Sequence, residues 1–311
     1  MSRILVTGGA GFIGSNLTEG LLKRGHSVRV LDNFSTGKMS NLVFDKEYPL
    51  EIIKGDIRSL PICKKTSEGM DYVFHLAAIP SVQLSVEDPG PSNAVNSGGT
   101  FNVLLAAKEK GVKRVIFADS SAVYGDTSIL PTHEDLPPHP LSPYALQKYT
   151  GEQYCKLFYK LYELETVSLK YFNIFGPKQD PNSEYSAVIP KFIDALLNGR
   201  PPVVFGDGEQ SRDFTYIENV VHANILAMEA TFLYGMVLNV ACGRRFSLNQ
   251  LLVVLKRIIG SEIQPVYSGP RPGEVRHSLA DISKARGVLG YEPTVDFEAG
   301  LKKTVEFMRG T

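Results

Sequence analysis

Short apolar runs rich in β-branched residues recur through the first half of the chain, at 4–6, 28–31, 51–53, 72–76, 114–118 and 166–169. Between them the period changes: Ile13, Leu17 and Leu21 recur every fourth residue, and Phe101, Leu104 and Leu105 follow helical spacing with Lys108 on the wet edge. Strands alternating with amphipathic helices predict a parallel sheet covered by helices, with the stripes as packing surfaces. After about residue 175 the pattern loosens into Pro- and Gly-punctuated loops at 176–182, 199–202, 206–208 and 269–273, and this half reads as a lid. No internal repeat or low-complexity linker separates the halves, which predicts close packing with a ligand cleft between them.

Composition narrows the classes of function. A chain of 311 residues that is 43% hydrophobic and 21% charged can bury a substantial core. Its 33 basic residues balance 33 acidic ones, so it lacks the cationic field that holds a nucleic-acid backbone or an anionic membrane. Met1, Ser2 and Arg3 run straight into the first apolar strand, and no later run is long enough to span a bilayer, so a cytoplasmic protein is expected. Cys63, Cys155 and Cys242 are odd in number and far apart, and no histidine stands at ligand spacing. They are expected to be buried thiols, with no metal site.

The first strand is followed by Thr7-Gly8-Gly9-Ala10-Gly11-Phe12-Ile13-Gly14 and then by a helical stripe, the context a dinucleotide fingerprint requires. Gly8 or Gly9 permits the tight turn, Gly11 lets backbone N–H groups approach a pyrophosphate, and Gly14 lets helix and strand pack closely. The plainer alternative is a flexible glycine loop between two packed elements. Asp32 ends the second strand about 20 residues beyond the glycines, where a carboxylate accepts hydrogen bonds from a ribose diol and repels a 2′-phosphate. With Asn33 rather than arginine following, NAD is expected over NADP, although a strand-end Asp also serves as a turn residue.

Tyr144 and Lys148 lie at i and i+4, one turn apart on one helical face. A neighbouring cation favours phenolate, moving the tyrosine toward the range in which it takes a hydroxyl proton as hydride leaves. Such a pair also occurs on ordinary amphipathic helices. Here Ser120 and Ser121 add two hydroxyls at the carboxyl end of the 114–118 strand, where open α/β sheets bind ligands. Ser120 is expected to share the hydrogen bond of the substrate hydroxyl.

These residues resemble those of the extended short-chain dehydrogenases/reductases, and among them the UDP-hexose 4-epimerases. The resemblance covers nearly the whole chain. It rests on the glycine motif at 7–14, Leu31-Asp32-Asn33, Gly55-Asp56-Ile57, His75-Leu76-Ala77-Ala78, the 120–125 run ending Val123-Tyr124-Gly125, Tyr144 with Lys148, and Tyr171-Phe172-Asn173. It implies a doubly wound parallel sheet of the Rossmann type with a smaller mixed α/β substrate-binding domain. The NAD-binding domain would span 1–172, with some later segments returning to it, and 173–311 would be mainly nucleotide-sugar-binding. By resemblance the cofactor contacts are Gly8, Gly11, Phe12, Ile13, Asp32, Asn33, Ser35, Thr36, Gly37, Leu76, Ala77, Ala78, Tyr144 and Lys148. Asp56 and Ile57 would flank the adenine, Asn96 would support the pocket, and Tyr171 would lie beside the nicotinamide end. A homodimer is implied too, through a four-helix bundle that includes the Tyr144 helix.

For the substrate, the resemblance puts Arg212 and Arg271 on a diphosphate, Glu274 on a ribose and Asn173 near the diphosphate; two arginines suit such a clamp. Without the family, either arginine reads as a solvated or salt-bridged residue. Related dehydratases carry an Asp-Glu pair just before the position of Tyr124, and UDP-glucuronate decarboxylases usually carry glutamate where Ala122 stands. Ser121-Ala122 offers no ionisable group, which favours C4 epimerisation through a transient 4-keto sugar. In the epimerases a tyrosine at the position of Ser278 walls off the sugar C2 side, so Ser278 predicts room for an acetamido group and hence UDP-GlcNAc and UDP-GalNAc, alongside UDP-Glc and UDP-Gal. Gln179, Ala187 and Val188 resemble the acetamido-sugar branch, whereas Pro80 departs from the glycine or lysine of related enzymes. The alternatives are a UDP-glucose 4-epimerase restricted to plain sugars, a decarboxylase or dehydratase, and a non-catalytic binding protein.

Overall fold

Six strands form where the β-branched runs predict them: β1 (Arg3–Thr7), β2 (Ser27–Asp32), β3 (Leu50–Lys54), β4 (Tyr72–His75), β5 (Arg114–Ser120) and β6 (Glu165–Tyr171). The computed structural model describes residues 1–180, 187–270 and 275–310. Helices α1 (Phe12–Lys23), α2 (Leu60–Ser67), α3 (Val82–Glu87), α4 (Pro89–Asn93), α5 (Thr100–Glu109) and α6 (Pro143–Tyr162) connect these strands. Beyond β6, short strands β7 (Ile174–Phe175), β8 (Val203–Phe205), β9 (Ser211–Arg212) and β10 (Thr215–Tyr216) lead to β11 (Met236–Val240), which returns to the edge of the central sheet.

The sheet has seven parallel strands in the order β11-β6-β5-β4-β1-β2-β3. The order reverses between β1 and β4, which opens a crevice at their carboxyl ends, the place where such sheets bind ligands. Alternation along each strand sends side chains to two cores. Leu5, Val73, Val115 and Phe117 pack with α5 and α6, whereas Ile4, Val6, Ile116 and Ala118 join the cluster that holds Leu17, Leu21 and residues of the second half.

The second half is not the loop-built lid that its Pro and Gly punctuation suggests. It contains α7 (Val188–Leu197), α8 (Ile217–Glu229), α9 (Leu248–Ile259), α10 (Ser283–Leu289) and α11 (Phe297–Arg309). The glycines fall at the turns between these helices: Gly199, Gly206, Gly208, Gly243 and Gly260 all have positive φ. Leu248, Leu251, Leu252 and Leu255 form a buried helical stripe on α9. On α5 the buried face is Val103, Leu104, Ala106 and Ala107, while Phe101 is exposed against Tyr154 and Phe158. Cys63 and Cys155 are buried and Cys242 half-buried. Among the described residues, no helix is long and apolar enough to cross a membrane.

Candidate active site

The loops that leave β1 and β4 meet in the crevice. Gly8 has φ +69°, and a Cβ there would lie 2.7 Å from the Ala77 amide nitrogen, so only glycine lets the two loops touch. A Cβ on Gly14 would fall 2.1 Å from the Gly8 carbonyl oxygen. Gly11 caps α1 without any side-chain bond, and the first turn of α1 contains no acid. Its leading N–H groups therefore face the crevice without a competing anion, as a pyrophosphate requires.

Asp32 stands at the end of β2, nearly buried, with Oδ2 accepting from the Ala10 N–H at 2.9 Å and Oδ1 from the Phe34 N–H at 2.8 Å. Each oxygen keeps a lone-pair direction for a ribose hydroxyl. Asn33 donates to Asp56 at 3.0 Å and accepts from the Ser35 N–H at 3.0 Å, which ties the loop that carries Ser35, Thr36 and Gly37 to the end of β3. The Arg58 guanidinium holds the Asp56 carboxyl well below the usual carboxylate range. Ile57 is buried, and its carbonyl accepts from Asn102 at 3.0 Å. With the glycine turn, these donors and acceptors at the carboxyl ends of β1, β2 and β3 fit the chemistry of NAD.

Asn96 sits in a π-helical turn, 2% exposed. Its Oδ1 accepts from the Ile79 N–H at 2.8 Å, while Nδ2 donates to the Ile79 carbonyl at 3.0 Å and to Gln147 at 2.8 Å. It thus fastens the loop after β4, which carries Leu76, Ala77, Ala78 and the exposed Pro80, to the first turns of α6. Gln147 bonds Ser92, and the Tyr144 N–H donates to Ser85 at 3.0 Å. Ser142 caps α6 by accepting from the Ala145 N–H. Gly151 brings this helix onto β5, since a Cβ would lie 2.5 Å from the Phe117 ring.

That approach buries Tyr144 and Lys148. Lys148 Nζ donates to the Ala118 carbonyl at 2.7 Å and lies 5.0 Å from the Phe117 ring centroid and 6.0 Å from that of Tyr144. Burial lowers the lysine pKa, opposed by the Asp119 carboxylate. The Tyr144 hydroxyl is hydrogen-bonded to Ser120, but burial outweighs that bond and pushes the phenol up to about 12. This corrects the expectation of a lowered tyrosine pKa: the ammonium is engaged by a backbone carbonyl, and desolvation of the phenolate dominates. Ser121 follows at the start of a 3-10 turn, where the Ala122 N–H donates to Ser120 Oγ at 3.2 Å. Tyr171, opposite Ser120 in the sheet, spends its hydroxyl on Asn224 in the core, so its backbone rather than its phenol borders the strand end.

A cavity of about 910 Å³ in the second half is lined by Asn173, Ala187, Val188 and Arg212. Arg212 donates to the Ser211 and Arg276 carbonyls. Asn173 Nδ2 reaches Ser278 Oγ at 3.4 Å, so Ser278 touches a residue of the wall without itself lining the cavity. Ser121 and Gln179 do not line this cavity; Gln179 donates to the Ile174 carbonyl at 3.4 Å. Its segment is tied instead to α1 and the β2 loop, by Asn16 to the Pro177 carbonyl, Lys178 to Glu19 and Lys38 to Asp180. Arg271 and Glu274 lie outside the described residues. Lys191, Arg200 and Gln210 also line the cavity and were not singled out from the sequence. They come from scattered loops and helix faces with no shared motif.

A doubly wound sheet with this glycine turn and this Ser-Tyr-Lys geometry defines an NAD-dependent enzyme class. The NAD dependent epimerase/dehydratase family matches residues 4–241, and the chain belongs to that family. A UDP-glucose 4-epimerase of Mycolicibacterium smegmatis is 39% identical over 310 residues, covering 99% of this chain and 98% of the relative. The solved UDP-N-acetylglucosamine 4-epimerase from Methanobrevibacter ruminantium M1, in complex with UDP-N-acetylmuramic acid, superposes with a TM-score of 0.96 at 44% identity, covering 99% and 98% of the two chains. A UDP-N-acetyl-α-D-glucosaminuronate decarboxylase of Bacillus cytotoxicus is 36% identical over 326 residues, covering 99% of this chain and 98% of the relative.

Proposed function

We propose that this protein interconverts the C4 epimers of a UDP-hexose, with UDP-GlcNAc and UDP-GalNAc as preferred substrates and UDP-Glc and UDP-Gal accepted. The observation that carries the reading is the Ser120–Tyr144 hydroxyl pair above a buried Lys148, with no ionisable side chain at Ser121 or Ala122. NAD, when bound, would supply a reversible hydride acceptor. Tyr144 takes the C4 hydroxyl proton and returns it, Ser120 orients that hydroxyl, and Lys148 adds the positive charge that offsets the burial of the phenolate. Elimination or decarboxylation calls for acid–base groups that Ser121 and Ala122 lack.

Asp32 is assigned to the adenosine ribose and Arg212 to the diphosphate, with Asn173 beside it. Ser278, small and in contact with Asn173, leaves the volume a C2 acetamido group needs. A homodimer through α5 and α6 accords with the exposed Phe101, Leu157 and Leu161 on those helices. A cytoplasmic location suits a nucleotide-sugar substrate.

The test is incubation of purified protein with UDP-GlcNAc, UDP-Glc and UDP-glucuronate separately, without added reductant, with products resolved by chromatography. Inversion of UDP-GlcNAc, with no pentose formed from UDP-glucuronate, is expected. Pentose release instead would replace the reading with decarboxylation.

A further inference from the structure

Behind Tyr144 lies a set of buried charges for which the reaction as described has no use. Asp119 precedes Ser120 on β5, and its side chain is 0% exposed. Neither carboxyl oxygen has a well-formed hydrogen-bond partner among the described residues. A buried carboxylate without such a partner is costly, and it calls for opposite charges nearby.

Strand alternation puts Asp119 on the same face as Phe117, toward α6. From α6 it meets Lys148, Glu152 and Cys155, and from β6 its direct cross-strand partner Lys170, whose Nζ lies 4.0 Å from Oδ2. Lys170 also pairs with Glu152 at 2.8 Å and lies 4.5 Å from the Tyr124 ring centroid. Glu152 continues to Lys156 at 2.5 Å, which is partly exposed. On β4, His75 is buried between Thr7 and Thr100 and held neutral by burial, and at the start of β5 Arg114 donates to the Ala227 and Met228 carbonyls of α8. Tyr124 and Tyr144 complete the surroundings. Two ammonium groups therefore flank one carboxylate, with the second of them anchored by Glu152.

We propose that Asp119 is a positioning residue that keeps Lys148 in its ammonium form behind the reacting tyrosine, with Lys170, itself anchored by Glu152, favouring the ionised form of Asp119. The proposal rests on the epimerase reading, because only there does Lys148 act on Tyr144. Removing the Asp119 charge leaves Lys148 surrounded by apolar walls and one carbonyl, so the ammonium loses its proton at lower pH. Burial lowers the Lys148 pKa and raises that of Asp119, favouring the neutral form of each, and the attraction between the two charges works against that shift in both.

The experiment compares wild type with Asp119→Asn and Asp119→Ser in the full chain, at saturating NAD and UDP-GlcNAc, across the pH range of activity. Both variants should move the alkaline limb of kcat down by about one pH unit, with KM nearly unchanged and rates near wild type where lysine is fully protonated. An unmoved limb, or an equal fall at every pH, would overturn the proposal. Failure of both neutral variants to fold would overturn it as well, because the account assigns Asp119 to the charge of Lys148 and not to holding the fold. Carbon NMR of lysine-Cε-labelled protein, with Lys148 assigned by Lys148→Arg, reads the same downward shift without turnover. It distinguishes failure of this proposal from failure of the epimerase reading, which inactive wild type would reveal.

Discussion

Lys148 Nζ and the Ala118 carbonyl oxygen are 2.7 Å apart, so the lysine is pinned to the end of β5 rather than hydrogen-bonded to Tyr144. Its effect on the phenol is therefore that of a fixed buried charge. Lys148→Met should lower kcat by about 10²–10⁴-fold while leaving the fold intact, and Tyr144→Phe should do at least as much. Burial favours the neutral amine, so wild-type activity should fall on the alkaline side well below lysine's ordinary 10.5. Initial rates against pH check both statements.

Ser278 touches Asn173 on the wall of the large cavity. If Ser278 borders the sugar C2 side, the ring of Ser278→Tyr crowds the space beside Asn173, and turnover of UDP-GlcNAc should fall by about 10²-fold relative to UDP-Glc. Parallel kcat/KM measurements on the two sugars give the ratio, and an unchanged ratio would show that Ser278 does not border C2.

Gly14 tolerates no side chain. A Cβ would stand 2.1 Å from the Gly8 carbonyl oxygen and 2.8 Å from Gly9 Cα, both backbone atoms. Gly14→Ala should destabilise the protein by about 2 kcal/mol or more and weaken NAD binding. Thermal melts with and without NAD separate the two effects.

Asp213 is fully buried and accepts from the N–H groups of Cys242, Gly243 and Ala280 at 3.0, 3.0 and 3.2 Å. Burial pushes its carboxyl up to about 6 from an ordinary 3.8. The folded state therefore binds its proton more tightly than the unfolded state. The stability this contributes is complete below pH 3.8 and lost as pH rises through about 6. Relative to Asp213→Asn, wild type should lose Tm across that window and no further above it. Parallel melts at stepped pH would show a constant difference if Asp213 titrated normally.

Much of this was legible along the chain. The strands from β1 to β6 announce themselves as β-branched runs, and Gly8, Gly11 and Gly14 stand where turn, ligand and packing each require glycine. The return strand β11 is an apolar run after the Gly235 turn, but its place in the sheet was not legible, because α7 and α8 separate it along the chain from its neighbour β6. The helical stripe of α9 stands between the glycine turns at Gly243 and Gly260, which drew the reading toward loops. Spacing put Tyr144 and Lys148 on one face but could not show that burial raises the phenol or that Lys148 is held by a carbonyl. Nothing along the chain singles out Asp119; only the packing of α6 against β5 reveals a sealed carboxylate.

The most direct measurement of the central claim is proton NMR of UDP-GlcNAc incubated with the purified protein in deuterated water. The account predicts growth of the UDP-GalNAc H-4 signal with its proton retained, because the hydrogen removed from C4 returns without exchange, and no growth with Tyr144→Phe. Absence of any C4 inversion while NAD is bound, or inversion with deuterium incorporated at C4, would contradict it.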